Sequence, residues 1–391
     1  LRTLEGITVV SVEQAVAAPF ASRHLADLGA RVIKVERPSG DFARHYDSTV
    51  KGLSSHFVWT NRNKESLVLD LKDAQQIASL QSILREADVF IQNLAPGAAQ
   101  RLGLGHAELH AINPRLITCS ISGYGESGPY EAKKAYDLLV QCETGVVSIT
   151  GTEEEPAKAG IPVADIAAGM YAFSGILAAL VKREKTGEGS QVDVSMLEAL
   201  GEWMGYPMYY TEYGGTSPRR TGARHAAIAP YGPFAVAGGT SVFLAVQNDR
   251  EWSALVTNVL RQPELLEDPR FTTNTDRVEH AEELKATIEA VFEATPAEDV
   301  ERRLDDAGIA NARLRTPKDF VDHPQLAARE RWMQVGTSKG PIKALKPVFH
   351  IDEEPPRTDP VPDLGQHTER ILLEYSALRS DYSALEKEGQ Q

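Results

Sequence analysis

The sequence predicts an α/β protein built on a parallel sheet, with a smaller α+β unit later in the chain. Three observations predict it. Short β-branched runs alternate with helical patterns through the first half, as in a sheet covered by helices on both faces. The first two such runs and the helix between them span about 30 residues, the size of a parallel crossover. Beyond the middle of the chain the pattern changes to a strand followed by several helices.

Ile7–Val12 is apolar and β-branched and reads as a buried strand. Pro19 suits a first helical turn, so Phe20 to Leu28 reads as a helix that Gly29 stops. Arg31–Glu36 is the next strand, and Ser66–Leu71, Asp88–Gln92 and Leu116–Ile121 repeat the signal, with a helix over Ala74–Arg85. Val192–Val194 reads as the last strand of this run. Gly201–Pro218, rich in Tyr and Gly, reads as a crossing linker. The smaller unit then holds a strand at Val242–Val246 and helices over Arg250–Leu260, Glu282–Ala294 and Ala297–Asp306. Glu354–Pro362 reads as extended, and a last helix is expected near Thr368–Leu378.

Composition narrows the function. The 391 residues carry a formal charge of -14, from 41 basic and 55 acidic side chains. That disfavours nonspecific nucleic-acid binding and adhesion to anionic membranes. A polyanionic ligand would need a local cluster of Lys and Arg. Cys119 and Cys142 form no disulfide framework and no metal-ligand pattern, which fits a reducing, cytoplasmic compartment. No uninterrupted apolar run reaches the roughly 18 residues of a membrane span, and Leu1–Gly6 has no signal-peptide pattern.

Several segments are placed where ligands bind open sheets, beyond the carboxyl ends of strands. The first turn, Glu13 to Pro19, is made of small residues but lacks Gly-x-Gly-x-x-Gly. Arg37 directly follows the strand-ending Glu36, which favours a phosphate over a free ribose hydroxyl. Asn93 to Arg101 follows the strand ending at Gln92, and Lys34, Lys72, Lys133 and Lys134 add positive charge at strand ends and loops. Asp165 opens a helical pattern in which Ile166, Met170, Phe173, Leu177 and Leu180 share a face, ending at Thr186-Gly-Glu-Gly189. Two readings of Asp165 stay open. It is either an N-cap, or a carboxylate kept ionised by the helix terminus and able to attack an activated acyl group. There is no Gly-x-Ser-x-Gly elbow, no His-Glu-x-x-His and no Walker A loop.

Four stretches resemble the family III CoA-transferases, the formyl-CoA and carnitine CoA-transferase (CaiB/BaiF) type. They are Ala17-Ala-Pro19 through Leu28 to Arg37, Asn63 to Lys72, Ser122-Gly-Tyr-Gly-Glu-Ser-Gly-Pro129, and Val163-Ala-Asp165 through Gly189. The order holds down to Leu364-Gly-Gln-His-Thr368. The resemblance implies a Rossmann-like large domain, discontinuous in sequence, interrupted by a smaller α+β domain. Its parts would be 1–198, a linker over 199–222, the small domain over 223–312, and the return over 313–391. It also implies an interlocked homodimer, acyl-CoA and carboxylic acid substrates, coenzyme A as substrate carrier with no permanently bound cofactor, and no metal.

By the same resemblance, Asp165 is the nucleophile. The coenzyme A contacts fall on Val16, Ala17, Arg37, Leu69, Asp70, Leu71, Lys72, Asn93, Leu94, Ala95, Arg101 and Lys134, forming a basic pocket on an acidic protein. Arg44, Arg224 and His225 are candidates for the acceptor's second carboxylate. Departures from the family pattern bear on the substrate. Asn93-Leu-Ala-Pro-Gly97 lacks the usual Arg at Ala95, Val16 stands where formyl-CoA transferases have Gln, and Ala223–Tyr231 lacks their glycine-rich loop. These point away from formyl-CoA and oxalate. They point toward succinyl-CoA with a four- to six-carbon dicarboxylate such as itaconate, mesaconate, citramalate or glutarate. The alternatives are an α-methylacyl-CoA racemase, disfavoured because Tyr136 replaces that subgroup's His, and transfer within one dicarboxylate.

Overall fold

A computed structural model describes residues 2–352 and 354–376. The chain forms two compact units. The first comprises Leu1–Gly145, Ala159–Gly205 and Ala328–Gln391, and the second Val146–Lys158 and Tyr206–Ala327.

The first unit is built on six parallel strands: β1 (Thr8–Val12), β2 (Arg31–Glu36), β3 (Lys64–Val68), β4 (Val89–Gln92), β5 (Ile117–Ser122) and β6 (Gln191–Ser195). Their order is β3-β2-β1-β4-β5-β6. This is the doubly wound order, and its direction reverses between β1 and β4, where such sheets bind ligands. The central strands are buried on both faces, with Val10, Ile33, Leu67 and Phe90 in one core with Leu80, Ile83 and Leu84 of the helix Ala74–Glu86. Helix α1 (Ala17–Asp27) starts earlier than expected, because Pro19 is accepted within its first turn.

The other face is covered by α1 and the long helix Val163–Thr186, which Gly187 ends in a left-handed conformation (φ 79°). By length and composition this helix is apolar enough to cross a membrane, although no uninterrupted apolar run in it reaches 18 residues. Its buried face, with Ala168, Ala172, Phe173 and Ile176, serves packing against α1, β5 and β6. The close contact with α1 depends on Gly169, where a Cβ would lie 2.7 Å from the Ala17 carbonyl oxygen.

The C-terminal return completes this unit at the β3 edge. Val68 N–H donates to Thr368 Oγ1 and Ser66 N–H to His367 Nδ1, each at 3.0 Å. Residues 368–376 are helical, and the expected end near Leu378 lies outside the described residues.

The second unit has a three-stranded antiparallel sheet, Tyr231–Val236, Thr240–Ala245 and Ala310–Arg313. Its core gathers Phe234, Trp252, Phe271, Ile288 and Phe292. Two expectations are corrected. The linker over 199–222 is largely helical, in Met196–Trp203 and Gly205–Gly214. Val146–Lys158 joins the second unit because Arg220 donates to the carbonyls of Ser148, Thr152 and Glu153. That segment lies far from Arg220 in sequence, so no local composition shift marks it.

Candidate active site

The site begins at the carboxyl end of β1. The turn after this strand passes through Ala15 at φ 63°, a left-handed conformation that alanine adopts only when its surroundings impose it. Gln14 N–H donates to Asn93 Oδ1 at 3.0 Å, and Asn93 Nδ2 donates to the Gln14 carbonyl at 2.9 Å. Ala15 N–H donates to Asp41 Oδ1 at 3.1 Å. Beyond this braced stretch no side chain caps α1. The N–H groups of Val16, Ala17 and Ala18 have no acceptor among the described residues.

Four fully buried charges lie beneath the turn. Lys34 Nζ donates to Asp41 Oδ2 at 2.9 Å, and Lys64 Nζ to Glu13 Oε1 at 2.7 Å. Ser11 and Ser22 donate to the other Glu13 oxygen. Burial opposes the charge on Glu13, but Lys64 and Lys34 hold its carboxyl below the ordinary range. Asp41 also caps the short helix Phe42–His45 through Ala43 N–H at 2.9 Å.

A cavity of about 250 Å³ opens at the ends of β1 and β2. Of the expected coenzyme A contacts, Arg37, Asp70, Leu71, Lys72 and Leu94 line it. Arg37 Nε donates to the Gly40 carbonyl at 2.9 Å, which holds the side chain along the rim. Arg101 is exposed at the end of the helix Ala98–Arg101, whose Ala98 lines the same cavity. Val16 and Ala17 are buried in the first turn. Leu69 differs from expectation: its side chain is in the sheet core, because the chain still follows the strand's alternation there. Ala95 lines a second cavity of about 310 Å³ with Gln92, Ser122, Glu126 and Glu131. Lys134 is exposed and lines neither cavity. The expectation of a basic pocket is therefore corrected to one of mixed sign, since Arg37 and Lys72 share their cavity with Glu36, Asp41 and Asp70.

Asp165 lies in the first turn of the long helix, one turn before the Gly169 contact with α1. The cap expected of it is supplied by another residue. Asp137 Oδ1 accepts from Ala164 N–H at 2.8 Å and Asp165 N–H at 3.2 Å, while its Oδ2 accepts from Gln141 Nε2 at 2.6 Å. The Asp165 carboxylate thus accepts no hydrogen bond among the described residues. Burial, and then the neighbouring Asp137 charge, push it up to about 7. This corrects the expectation of a carboxyl held low by the helix terminus, because the terminal N–H groups are already taken. Tyr46 stands in the same field: burial, then Asp41, Asp165 and Tyr136, raise its phenol to about 12.

Arg44 is engaged within the first unit. It forms a bidentate pair with Glu36 at 2.8 Å through both nitrogens, and its guanidinium is 3.8 Å from the Phe57 ring centroid. Arg224 and His225 belong to the second unit. There Arg224 pairs with Glu282, and His225 stacks on Tyr231 with centroids 5.1 Å apart. Among the described residues no group of His, Cys, Asp or Glu is arranged to hold a metal ion. Sequence reasoning missed Asp137 as a cap and Asp41 as a brace, since each acts on residues more than 20 positions away.

Comparison with known proteins accords with this geometry. The model of CoA-transferase family III matches residues 4–368. The chain is 33% identical to succinyl-CoA:glutarate CoA-transferase of Mus musculus, over 99% of this chain and 89% of that protein. It is 35% identical to acetyl-CoA:oxalate CoA-transferase of Acetobacter aceti, over 95% of this chain and 96% of that one. A solved CaiB/BaiF family protein from Brucella suis superposes with a TM-score of 0.84 at 31% identity, over 96% of this chain and 99% of the other. A doubly wound sheet without a dinucleotide fingerprint, matched over nearly all its length by such enzymes, leaves one conclusion: the chain belongs to the family III CoA-transferases and is a CoA-transferase.

Proposed function

We propose that the enzyme moves coenzyme A from an acyl-CoA donor of the succinyl-CoA type to a dicarboxylate of four to six carbons, through a thioester on Asp165. The observation that carries this reading is the Asp165 carboxylate itself, partly buried, without a hydrogen-bond partner among the described residues and one turn from the α1 contact.

The ionised Asp165 oxygen attacks the donor thioester carbonyl. The C–S bond breaks, coenzyme A leaves as thiolate, and an acyl-aspartyl anhydride remains. The thiolate then attacks the Asp165 carbonyl, expels the donor carboxylate and leaves the aspartyl thioester. The acceptor carboxylate attacks that carbonyl in turn and releases the thiolate. The thiolate finally attacks the acceptor's carbonyl in the new anhydride, giving the product thioester and restoring Asp165. No water is consumed, so the thioester bond is conserved. The raised pKa makes the ionised Asp165 a better nucleophile than an ordinary carboxylate. The unpaired N–H groups of Val16, Ala17 and Ala18 are the donors for each oxyanion. Arg37, Lys72 and Arg101 hold the phosphates of coenzyme A.

Both named relatives act on dicarboxylates, and the glutarate enzyme supports the four- to six-carbon class. Val16 and the residues at Ala223–Tyr231 favour the longer acids. The family's interlocked homodimer is part of this reading. A panel of succinyl-CoA and acetyl-CoA against dicarboxylates of two to six carbons, read by mass spectrometry, tests it. The expected result is fastest turnover with a four- to six-carbon acceptor. Turnover confined to oxalate, or deuterium uptake at the α-carbon without transfer, contradicts it.

A further inference from the structure

We propose that Asn93 and Asp41 are positioning residues, which brace the first turn so that its free N–H groups meet the reacting carbonyl. The inference rests on the reading of Asp165 and the first turn given above. Four consecutive backbone groups of the turn are occupied. The Glu13 carbonyl accepts from Lys34 Nζ at 3.5 Å, Gln14 N–H and carbonyl are both held by the Asn93 amide, and Ala15 N–H is held by Asp41. The next three residues, Val16 to Ala18, have N–H groups with no acceptor among the described residues. The boundary between spent and free donors is therefore sharp, and it falls where the helix begins.

The two braces come from different elements. Asn93 follows β4, and its amide adds one more rung to the β1–β4 ladder, whose last pair is Val12 with Gln92. Asp41 follows β2. It reaches the turn with one oxygen and Lys34 with the other, and the same carboxylate caps the segment leading to Tyr46. Loops at a sheet edge are otherwise free to shift, and a displacement of about 1 Å at a reacting group costs on the order of 100-fold in rate. An amide engaged on both its atoms is a brace before it is a ligand contact, so Asn93 should control kcat rather than affinity for acyl-CoA.

The test is steady-state kinetics of Asn93→Ala and Asp41→Asn in the full chain, with the substrate pair that wild type turns over fastest. Asn93→Ala should lower kcat about 10- to 100-fold, while KM for acyl-CoA stays within about threefold and the circular dichroism spectrum is unchanged. Asp41→Asn keeps an acceptor for Ala15 but loses the charge facing Lys34, and should lower kcat by less. A wild-type kcat in Asn93→Ala overturns the proposal. So does a rise in KM that equals or exceeds the loss in kcat, which is the mark of a ligand contact. Asn93 lies at the half-buried rim, so its variant decides the matter if Asp41→Asn does not fold. Asp165→Asn is measured alongside. If it stays active, the reading of Asp165 fails. If it is inactive while Asn93→Ala runs at the wild-type rate, only the brace fails.

Discussion

Two regions a few residues wide handle buried charge in opposite ways. Beneath the first turn, Glu13 and Asp41 face Lys34 and Lys64, and every carboxylate oxygen has a donor. At the start of the long helix, Asp165 faces Asp137, a like charge, and its own oxygens have none among the described residues. Compensated charge fixes geometry, because each partner dictates where the other sits. Uncompensated charge stores reactivity, because the carboxylate gains by protonation or by forming a bond. In the proposed mechanism the first region holds the donors and the second supplies the nucleophile.

Breaking the compensated region should cost stability most. Glu13→Gln takes from Lys64 its one carboxylate partner among the described residues and leaves Lys34 with Asp41, and should lower unfolding free energy by about 3–5 kcal/mol, read by urea denaturation at pH 7. A loss under about 1 kcal/mol would mean that the cluster is not a paired network. The link between the regions comes next. Gly169→Ala puts a methyl group against the Ala17 carbonyl and should cost about 1–3 kcal/mol, with a fall in kcat because Asp165 shifts relative to the turn. Unchanged kcat in that variant would show that the two regions are not coupled through this contact.

The uncompensated region is sharpened by Asp137→Asn. Asn still caps the helix, but the like charge is gone, so the Asp165 pKa should fall from about 7 toward the ordinary carboxylate range. The reactive form is the ionised one, so the rate rises with pH through this pKa. The acid limb of the kcat/KM profile should therefore move to lower pH, with a cost of up to about tenfold in kcat at pH 8 from weaker nucleophilicity. An unmoved acid limb would show that another group sets it.

The parts of the fold carried by local pattern were legible. Six β-branched runs and the spacing of one crossover were enough for the parallel sheet, and the apolar pattern after Asp165 for its long helix, though Ile166, Met170 and Leu177 of the expected face are half-buried while Ala168, Ala172 and Ile176 are buried. The helices at Met196–Trp203 and Gly205–Gly214 were not, because Gly and Tyr suggest a linker; the first is held by burial of Met196, Ala199 and Leu200, whereas the second buries only Pro207. In the site, position along the chain singled out Arg37 and Lys72, which line the cavity, and Asp165, which lies in the first turn of the long helix. The Arg44 pair with Glu36 was not legible, because nothing local reveals that Glu36 turns inward to meet it. Asp137 is 28 positions from Asp165, and Asp41 is 26 from Ala15. Contacts of that range are set by strand order, which no motif in this sequence encodes.

The central claim is that Asp165 forms the covalent intermediate. Mixing the enzyme with acyl-CoA alone, quenching with hydroxylamine and mapping peptides by mass spectrometry tests it most directly. The account predicts a hydroxamate on Asp165, dependent on acyl-CoA and absent from Asp165→Asn, which should also lose at least about 1,000-fold in turnover. Full turnover by Asp165→Asn, or an unmodified Asp165 in an enzyme that is turning over, would contradict it.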